Sequence, residues 1–259
     1  KQKTAYEIRL SLVGSEMCIR DRSKDEVRSL SEKKDVIKLS RNDLAYAISC
    51  RKTGATTVAA TMILAASANI KVFATGGVGG VHLDAEKTFD VSADLQELAQ
   101  TPVTVISAGP KAILDLPKTL QVLETLGVPV VTFGQDELPA FWSRSSGLRS
   151  PIRMNSADEI ARSQLIREAL SIPGGQLVAN PIPAYAEIPF KEILPIIKKA
   201  HLEANKENIS DKNLTPFLLE KVFNLTDGAS LNANIELVKN NASLACKVAS
   251  SLITEKSRL

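Results

Sequence analysis

Three short stretches of this chain carry residue types that could do chemistry. The first is Lys111, directly after Gly109 and Pro110. An ordinary lysine is a solvated cation, but a desolvated one loses its proton and becomes a nucleophile. The second is Asp90-Val91-Ser92-Ala93-Asp94, two carboxylates and a hydroxyl close together. Hard oxygen donors of this kind suit Mg²⁺ or Mn²⁺ held mostly by water. Asp94 also lies three residues before Glu97, a spacing that equally fits a helix N-cap. The third stretch is Thr75-Gly76-Gly77-Val78-Gly79-Gly80-Val81-His82. Its glycines permit positive φ and close backbone approach to a ligand, or simply a tight turn. Their spacing fits neither a dinucleotide fingerprint nor a Walker loop.

These residues need a scaffold, and the pattern around them predicts one. Strands are expected at Asp35–Ser40, which ends in a charged cluster, and at Ile70–Ala74, Val103–Ser107, Val128–Phe133 and Leu177–Asn180, where short apolar, β-branched runs end near glycine or proline. Helices are expected between them. Gly54-Ala55-Thr56-Thr57 opens one before Val58–Ala68, and Ser156-x-x-Glu159 opens another to about Leu170. A helix is also expected to start at Ala108-Gly109-Pro110, which puts Lys111 on its first turn, where the positive helix end disfavours the ammonium. A long helix should run from Ser230 toward Ile253. Strands alternating with helices predict a layered α/β/α fold with a mostly parallel central sheet. Each chemical cluster then falls at the carboxyl end of a strand, where such folds place their sites.

The chain has 259 residues, 44% of them apolar and 4% aromatic, so aliphatic side chains must build the core of one large domain or two small ones. A net charge of +3 does not call for nucleic acid or a membrane surface, and suits a small anionic substrate met by a few local cations. Cys18, Cys50 and Cys246 lack metal-site spacing. No apolar run approaches the ~20 residues of a membrane span. Asn-x-Ser/Thr triplets begin at Asn208, Asn213, Asn224 and Asn241, and are read as chance occurrences. Residues 1–22 contain LSLVGSEMCIRDR, which has no sustained period and resembles translated sequencing-adapter sequence. They are read as non-native and set apart from a domain spanning 23–259. The chain ends Ser257-Arg258-Leu259, close to the peroxisomal Ser-Lys-Leu address, so a cytoplasmic or peroxisomal location is expected.

Longer motifs carry a resemblance. Gly54–His82 (GATTVAATMILAASANIKVFATGGVGGVH), Glu86–Ala99 (EKTFDVSADLQELA) and Val103–Val131 (VTVISAGPKAILDLPKTLQVLETLGVPVV) form one nearly continuous pattern. LPAFW, VANPIP, TPFLL and SLNANIELVKNNA follow in order. From about Ser23 onward the chain resembles the pseudouridine-5′-phosphate glycosidases. The resemblance implies reversible cleavage of the C–C glycosidic bond of pseudouridine 5′-phosphate to uracil and ribose 5-phosphate, in pseudouridine breakdown. It implies Lys111 as the Schiff-base nucleophile, Asp90 as ligand of Mn²⁺ or another divalent cation, and Ser92, Ala93 and Asp94 as substrate contacts beside the metal. Lys38 corresponds to a substrate contact that we assign to the phosphate, and Val58, at a helix N-terminus, to a further one. Asp94, His82 and Asn234 correspond to polar active-site residues. A homotrimer is implied as well.

The family also has an N-terminal strand whose Glu-Ser-Thr-Ile-Ile-x-His-Gly stretch supplies a proton donor. Nothing in these 259 residues matches it, and Glu7 and Glu16 lack its neighbours. The N-terminal strand or strands are therefore expected to be missing, and this chain to be inactive and marginally stable. The competing reading is a non-catalytic sugar-phosphate or nucleotide-binding pseudoenzyme. A sugar kinase is disfavoured, because no Gly-Ala-Gly-Asp-type anion-hole motif occurs.

Overall fold

A computed structural model describes residue 28 and residues 32–33, 35–210 and 213–257. The segment 1–22 and the terminal Arg258 and Leu259 lie outside the described residues, as does most of the helix-compatible stretch 23–33.

Strand β1 (Ile37–Leu39) leads through a 3-10 turn at Arg41–Asp43 and helix α1 (Leu44–Ser49) to strand β2 (Gly54–Thr56). The two strands pair in parallel as a small sheet of their own. Gly54–Thr56 was expected to open a helix. It is extended instead, and the cap is the next residue: Thr57 Oγ1 accepts the Ala60 N–H as α2 (Val58–Ser67) begins. Leu39, Leu44 and Ala47 pack on Ala60 and Leu64 of α2, giving this unit its own small core.

The main sheet has five strands: β3 (Val72–Ala74), β4 (Thr104–Ser107), β5 (Val130–Phe133), β6 (Ile152–Met154) and β7 (Leu177–Ala179). Their order is β3-β4-β7-β5-β6, and every pairing is parallel. The mostly parallel sheet expected from the sequence is thus present. Strand β6 was not foreseen, because Ile-Arg-Met is short and only part-buried, with no apolar run to announce it.

Alternation along the strands builds two cores. Val105, Val130, Leu177 and Ala179 face α2, α4 (Ala93–Gln100) and α5 (Leu116–Thr125), which contribute Met62, Leu95, Leu98 and Leu123. Their neighbours Val72, Ile106, Val131 and Val178 face the other way, onto Ile160 of α6 (Ala157–Ala169) and Leu244 and Val248 of α9 (Ala229–Lys256). Each such side chain contributes roughly 1.5–3 kcal/mol on burial, so both faces of the sheet must be covered, as layered α/β folds require. Helix α3 (Ala85–Thr88) is a single turn beside the glycine-rich stretch.

A third core lies beyond the strand ends. Helices α7 (Phe190–Lys206), α8 (Leu214–Leu225) and the start of α9 contribute Ile193, Ile197, Leu218, Val222 and Leu237. These pack against Ala108, Ala112, Ile113 and Trp142, and so brace the loop that carries Lys111 from behind.

Candidate active site

The carboxyl ends of β3 and β4 lie side by side, and the chain leaving each runs alongside the other. Thr75 N–H donates to Ile106 O (2.9 Å), Ala108 N–H to Gly76 O (2.8 Å), and Lys111 N–H to Val78 O (3.1 Å). On its other side the glycine-rich stretch accepts from Ser92 N–H at Gly80 O (2.9 Å), and His82 N–H donates to Asp90 O (3.0 Å). The stretch is a middle rung that binds the Lys111 loop on one side and the Asp90–Asp94 segment on the other. Three clusters scattered in sequence become one site.

The glycines were expected to supply positive φ. None of Gly76, Gly77, Gly79 or Gly80 has it; positive-φ glycines occur elsewhere, including Gly109 at +89° beside Lys111. What they supply is closeness. A Cβ at Gly79 would run into Ser92 Oγ and lie 2.8 Å from Asp94 Oδ2. One at Gly77 would lie 2.7 Å from the Phe141 ring, and one at Gly80 2.5 Å from Thr119 Oγ1.

Asp94 is not a helix cap. Ser92 caps α4, its Oγ accepting the Asp94 N–H at 3.2 Å. The buried Asp94 carboxylate ties two other elements together instead: Oδ1 accepts the Ala59 N–H of α2 (2.8 Å) and Oδ2 accepts the Gly79 N–H (2.8 Å). The N-terminus of α2, expected as a phosphate site through Val58, already has this carboxylate against its first turn.

Lys111 was expected on the first turn of a helix. The helix starts later, at Leu116 with Asp115 as its cap, and Lys111 sits in the turn after β4. Burial is the main force, pushing its amine below the ordinary lysine value; Lys38 adds to the effect and Asp94 opposes it. Desolvation thus shifts Lys111 toward the neutral amine that a nucleophile requires.

His82 is buried and its Nδ1 stands 3.9 Å from Asp90 Oδ2, with no hydrogen-bond partner among the described residues. Burial lowers its pKa, Asp90 opposes, and His201, Lys111 and Lys38 lower it further, so the ring is neutral near pH 7. The Asp90 carboxylate is part-exposed. Among the described residues no cluster of three or more His, Cys, Asp or Glu side chains could cage a metal. One accessible carboxylate fits a hard cation that keeps most of its ligands as water or substrate oxygens, and does not fit zinc-type coordination.

Asn234 comes from α9, and its Oδ1 accepts the Trp142 indole N–H at 2.7 Å. Lys38 comes from β1 of the small sheet. All nine residues singled out from the sequence (Lys38, Val58, His82, Asp90, Ser92, Ala93, Asp94, Lys111 and Asn234) line one cleft of about 860 Å³. The structure adds Asp43, Thr61, Phe141, Thr215 and Pro216 to its walls. Phe141 lies within the LPAFW motif, but its role required the structure: it holds φ at +57° and packs edge-on to Trp142. Asp43 gave no signal, because an aspartate beside Ser40 reads as a cap, and its Oδ2 does accept the Ser40 N–H (2.9 Å).

The family described as Indigoidine synthase A like protein matches residues 17–251. The pseudouridine-5′-phosphate glycosidase of Paracoccus denitrificans (strain Pd 1222) is 62% identical over 219 residues, 85% of this chain and 72% of the relative. That of Jannaschia sp. (strain CCS1) is also 62% identical, over 88% of this chain and 76% of the relative. The chain belongs to the pseudouridine-5′-phosphate glycosidase family. Solved structures agree with this membership. An indigoidine synthase A-like protein from Thermotoga maritima superposes with a TM-score of 0.82 at 35% identity, over 89% of this chain and 76% of that one. The prealnumycin C-glycosynthase in complex with ribulose 5-phosphate gives 0.85 at 30% identity, over 92% and 78%. Among the described residues no helix is long and apolar enough to cross a membrane.

Proposed function

We propose that this chain cleaves pseudouridine 5′-phosphate, reversibly, to uracil and ribose 5-phosphate. Ordinary glycosidases protonate a leaving heteroatom, and a C–C glycosidic bond offers none. The Lys111 amine instead bonds to C1′ as the ring oxygen leaves and takes a proton. The C1′–C5 bond then breaks: its electron pair stays on uracil C5, which gains a proton, and the nitrogen lone pair forms the C1′=N iminium. Water adds at C1′ and returns ribose 5-phosphate and free Lys111. The observation that carries this reading is a half-buried lysine, its pKa lowered by desolvation, among the eight other predicted residues of one cleft.

Each neighbour has a task in this scheme. Lys38 meets the phosphate, Val58 is a further substrate contact, and Ser92, Ala93 and Asp94 meet the sugar. Asp94 also holds Gly79 and α2 in register around Lys111. His82, neutral, and Asn234, oriented by Trp142, offer hydrogen bonds to the uracil and the ring-opened sugar. Asp90 would hold Mn²⁺ or a similar cation, which when bound supplies positive charge at substrate oxygens. A homotrimer, checked by light scattering, and import through Ser257-Arg258-Leu259, checked by masking that end, complete the proposal.

The proton at C5 needs a donor. Among the described residues the cleft carboxylates are Asp43, which accepts the Ser40 N–H, Asp94, which accepts two backbone N–H groups, and Asp90, which this reading reserves for the cation. We therefore expect the 259-residue chain to form the adduct but to turn over some ~10²–10⁴-fold more slowly than an enzyme with a dedicated acid. Uracil release from pseudouridine 5′-phosphate and borohydride trapping with ribose 5-phosphate test the two halves. Failure of the wild-type chain to be trapped, with Lys111→Ala as blank, overturns the Schiff-base scheme. Turnover matching the Paracoccus relative overturns the expectation of a missing acid.

A further inference from the structure

Helix α4 carries two buried carboxylates one turn apart. Asp94 serves the cleft. Glu97, 1% exposed, has no part in it. Its Oε1 accepts from the Thr101 hydroxyl, and its Oε2 accepts from Arg41 Nη1 at 2.5 Å. Arg41 belongs to the 3-10 turn just after β1, three residues from Lys38.

A buried carboxylate costs desolvation and persists where its partners repay that cost. Here the partner comes from the small two-stranded unit, whose strands do not join the main sheet. That unit supplies Lys38, Ser40, Asp43, Ala55 and Thr56 to the cleft wall. Its apolar core with α2 is small. The Arg41–Glu97 pair bridges 56 residues of chain and fastens the turn following Lys38 to the helix that begins at Ser92–Asp94.

We propose that Arg41 and Glu97 are positioning residues that set where Lys38 stands relative to Lys111, and thereby the affinity of the cleft for the phosphate of its substrate. This rests on reading Lys38 as the phosphate contact. Neither residue lines the cleft, so each acts through Lys38. The pair is also the physical content of the Asp94-x-x-Glu97 spacing. What looks like a capping box is two cross-links of one helix, Asp94 to the main body and Glu97 to the small unit.

The test is titration calorimetry of the full chain with ribose 5-phosphate and with ribose, alongside borohydride trapping. Arg41→Ala and Glu97→Gln are each expected to raise the Kd for ribose 5-phosphate about ten-fold, equivalent to ~1.4 kcal/mol. The Kd for ribose and the trapping plateau at saturating sugar should stay at wild-type values. Arg41→Ala leaves Glu97 buried without its cation, so the double variant Arg41→Met/Glu97→Leu, which has no buried charge to strand, should show the same selective loss. Wild-type affinity for ribose 5-phosphate in the single and double variants overturns the proposal. So does equal weakening of ribose and ribose 5-phosphate, which would mark general loosening, or a wild-type chain that binds both sugars alike. Selective loss in the variants, together with a wild-type chain that is never trapped, would refute the Schiff-base scheme and leave the positioning role standing.

Discussion

The two walls of the cleft are built in opposite ways. The wall that holds Lys111 grows out of the main sheet, and its backbone is hydrogen-bonded on both sides from Thr75 to Asp115. The wall that holds Lys38 is a three-residue strand of a two-stranded sheet, backed by a small core and an ion pair between half-exposed Arg41 and buried Glu97. Bond making needs reacting atoms held to a few tenths of an ångström. Holding a phosphate needs a cation kept within hydrogen-bond reach of it, a demand that one tether beside Lys38 can meet. On the proposed reading the rigid wall serves the first and the tethered wall the second.

Exchanging the lysines' fates should separate the walls most sharply. Lys111→Ala should abolish the trapped adduct, a loss of at least ~10³-fold. Lys38→Ala should leave the adduct plateau intact and raise half-saturating ribose 5-phosphate about ten-fold, the scale of one charge-assisted contact. Equal effects from the two would erase the distinction. Next comes Gly79→Ala. The added methyl meets Ser92 and Asp94 in the rigid wall, so trapping rate should fall ~10²-fold and stability by about 1–3 kcal/mol, read by stopped quench and urea melts. Unchanged kinetics would show that this wall tolerates shifts.

A smaller loss is expected at Asn241 of α9, which is fully buried and so cannot be a glycan site. Its Nδ2 donates to Thr75 O (2.8 Å) and its Oδ1 accepts from Asn180 Nδ2 (3.1 Å). Asn241→Ala should cost about 1–3 kcal/mol by stranding those partners, and should slow trapping without altering the preference for ribose 5-phosphate over ribose.

The smallest effect has the clearest sign. The folded pKa of Lys111 lies below its unfolded value. Below both values the unfolded chain holds a proton that the folded chain holds at a cost; as pH rises through the folded pKa toward 10.5, that cost disappears. Lys111→Met should therefore raise Tm by a few degrees at neutral pH, with the gain shrinking as pH climbs toward the lysine value. A gain that grows with pH would contradict burial as the cause.

Much of this site could be read from the sequence, for reasons that differ by residue. The strands before Gly76 and Gly109 were legible because a buried parallel strand is a short apolar run ended by glycine. The Ser156/Glu159 capping box and α9 were legible because both signals are local. Lys111 was found, but the helix expected around it begins five residues later, since Asp115, not Gly109, is the cap. Asp94 and Glu97 were misread for the opposite reason: their spacing imitates a local signal while their partners, Ala59, Gly79 and Arg41, lie far off in sequence. Strand β6 and the rung formed by Gly76–Val81 depend on neighbours that local pattern does not disclose.

The strand order has a further consequence, for how the molecule assembles. Strand β7 sits between β4 and β5, yet it is the last of the five to leave the ribosome. Until residue 179 is made, only the β3-β4 and β5-β6 pairings are available, and β4 and β5 both lack the strand that separates them in the finished sheet. The final strand must be threaded between them, and the turn before it admits no side chain, because a Cβ at Gly175 would strike Val103 O. Long-range parallel pairing of this kind is slow and leaves edges exposed meanwhile. The close approach of Gly175 and the three residues of β7 therefore complete the sheet last, and only then is β4, which leads into the Lys111 turn, flanked by strands on both sides.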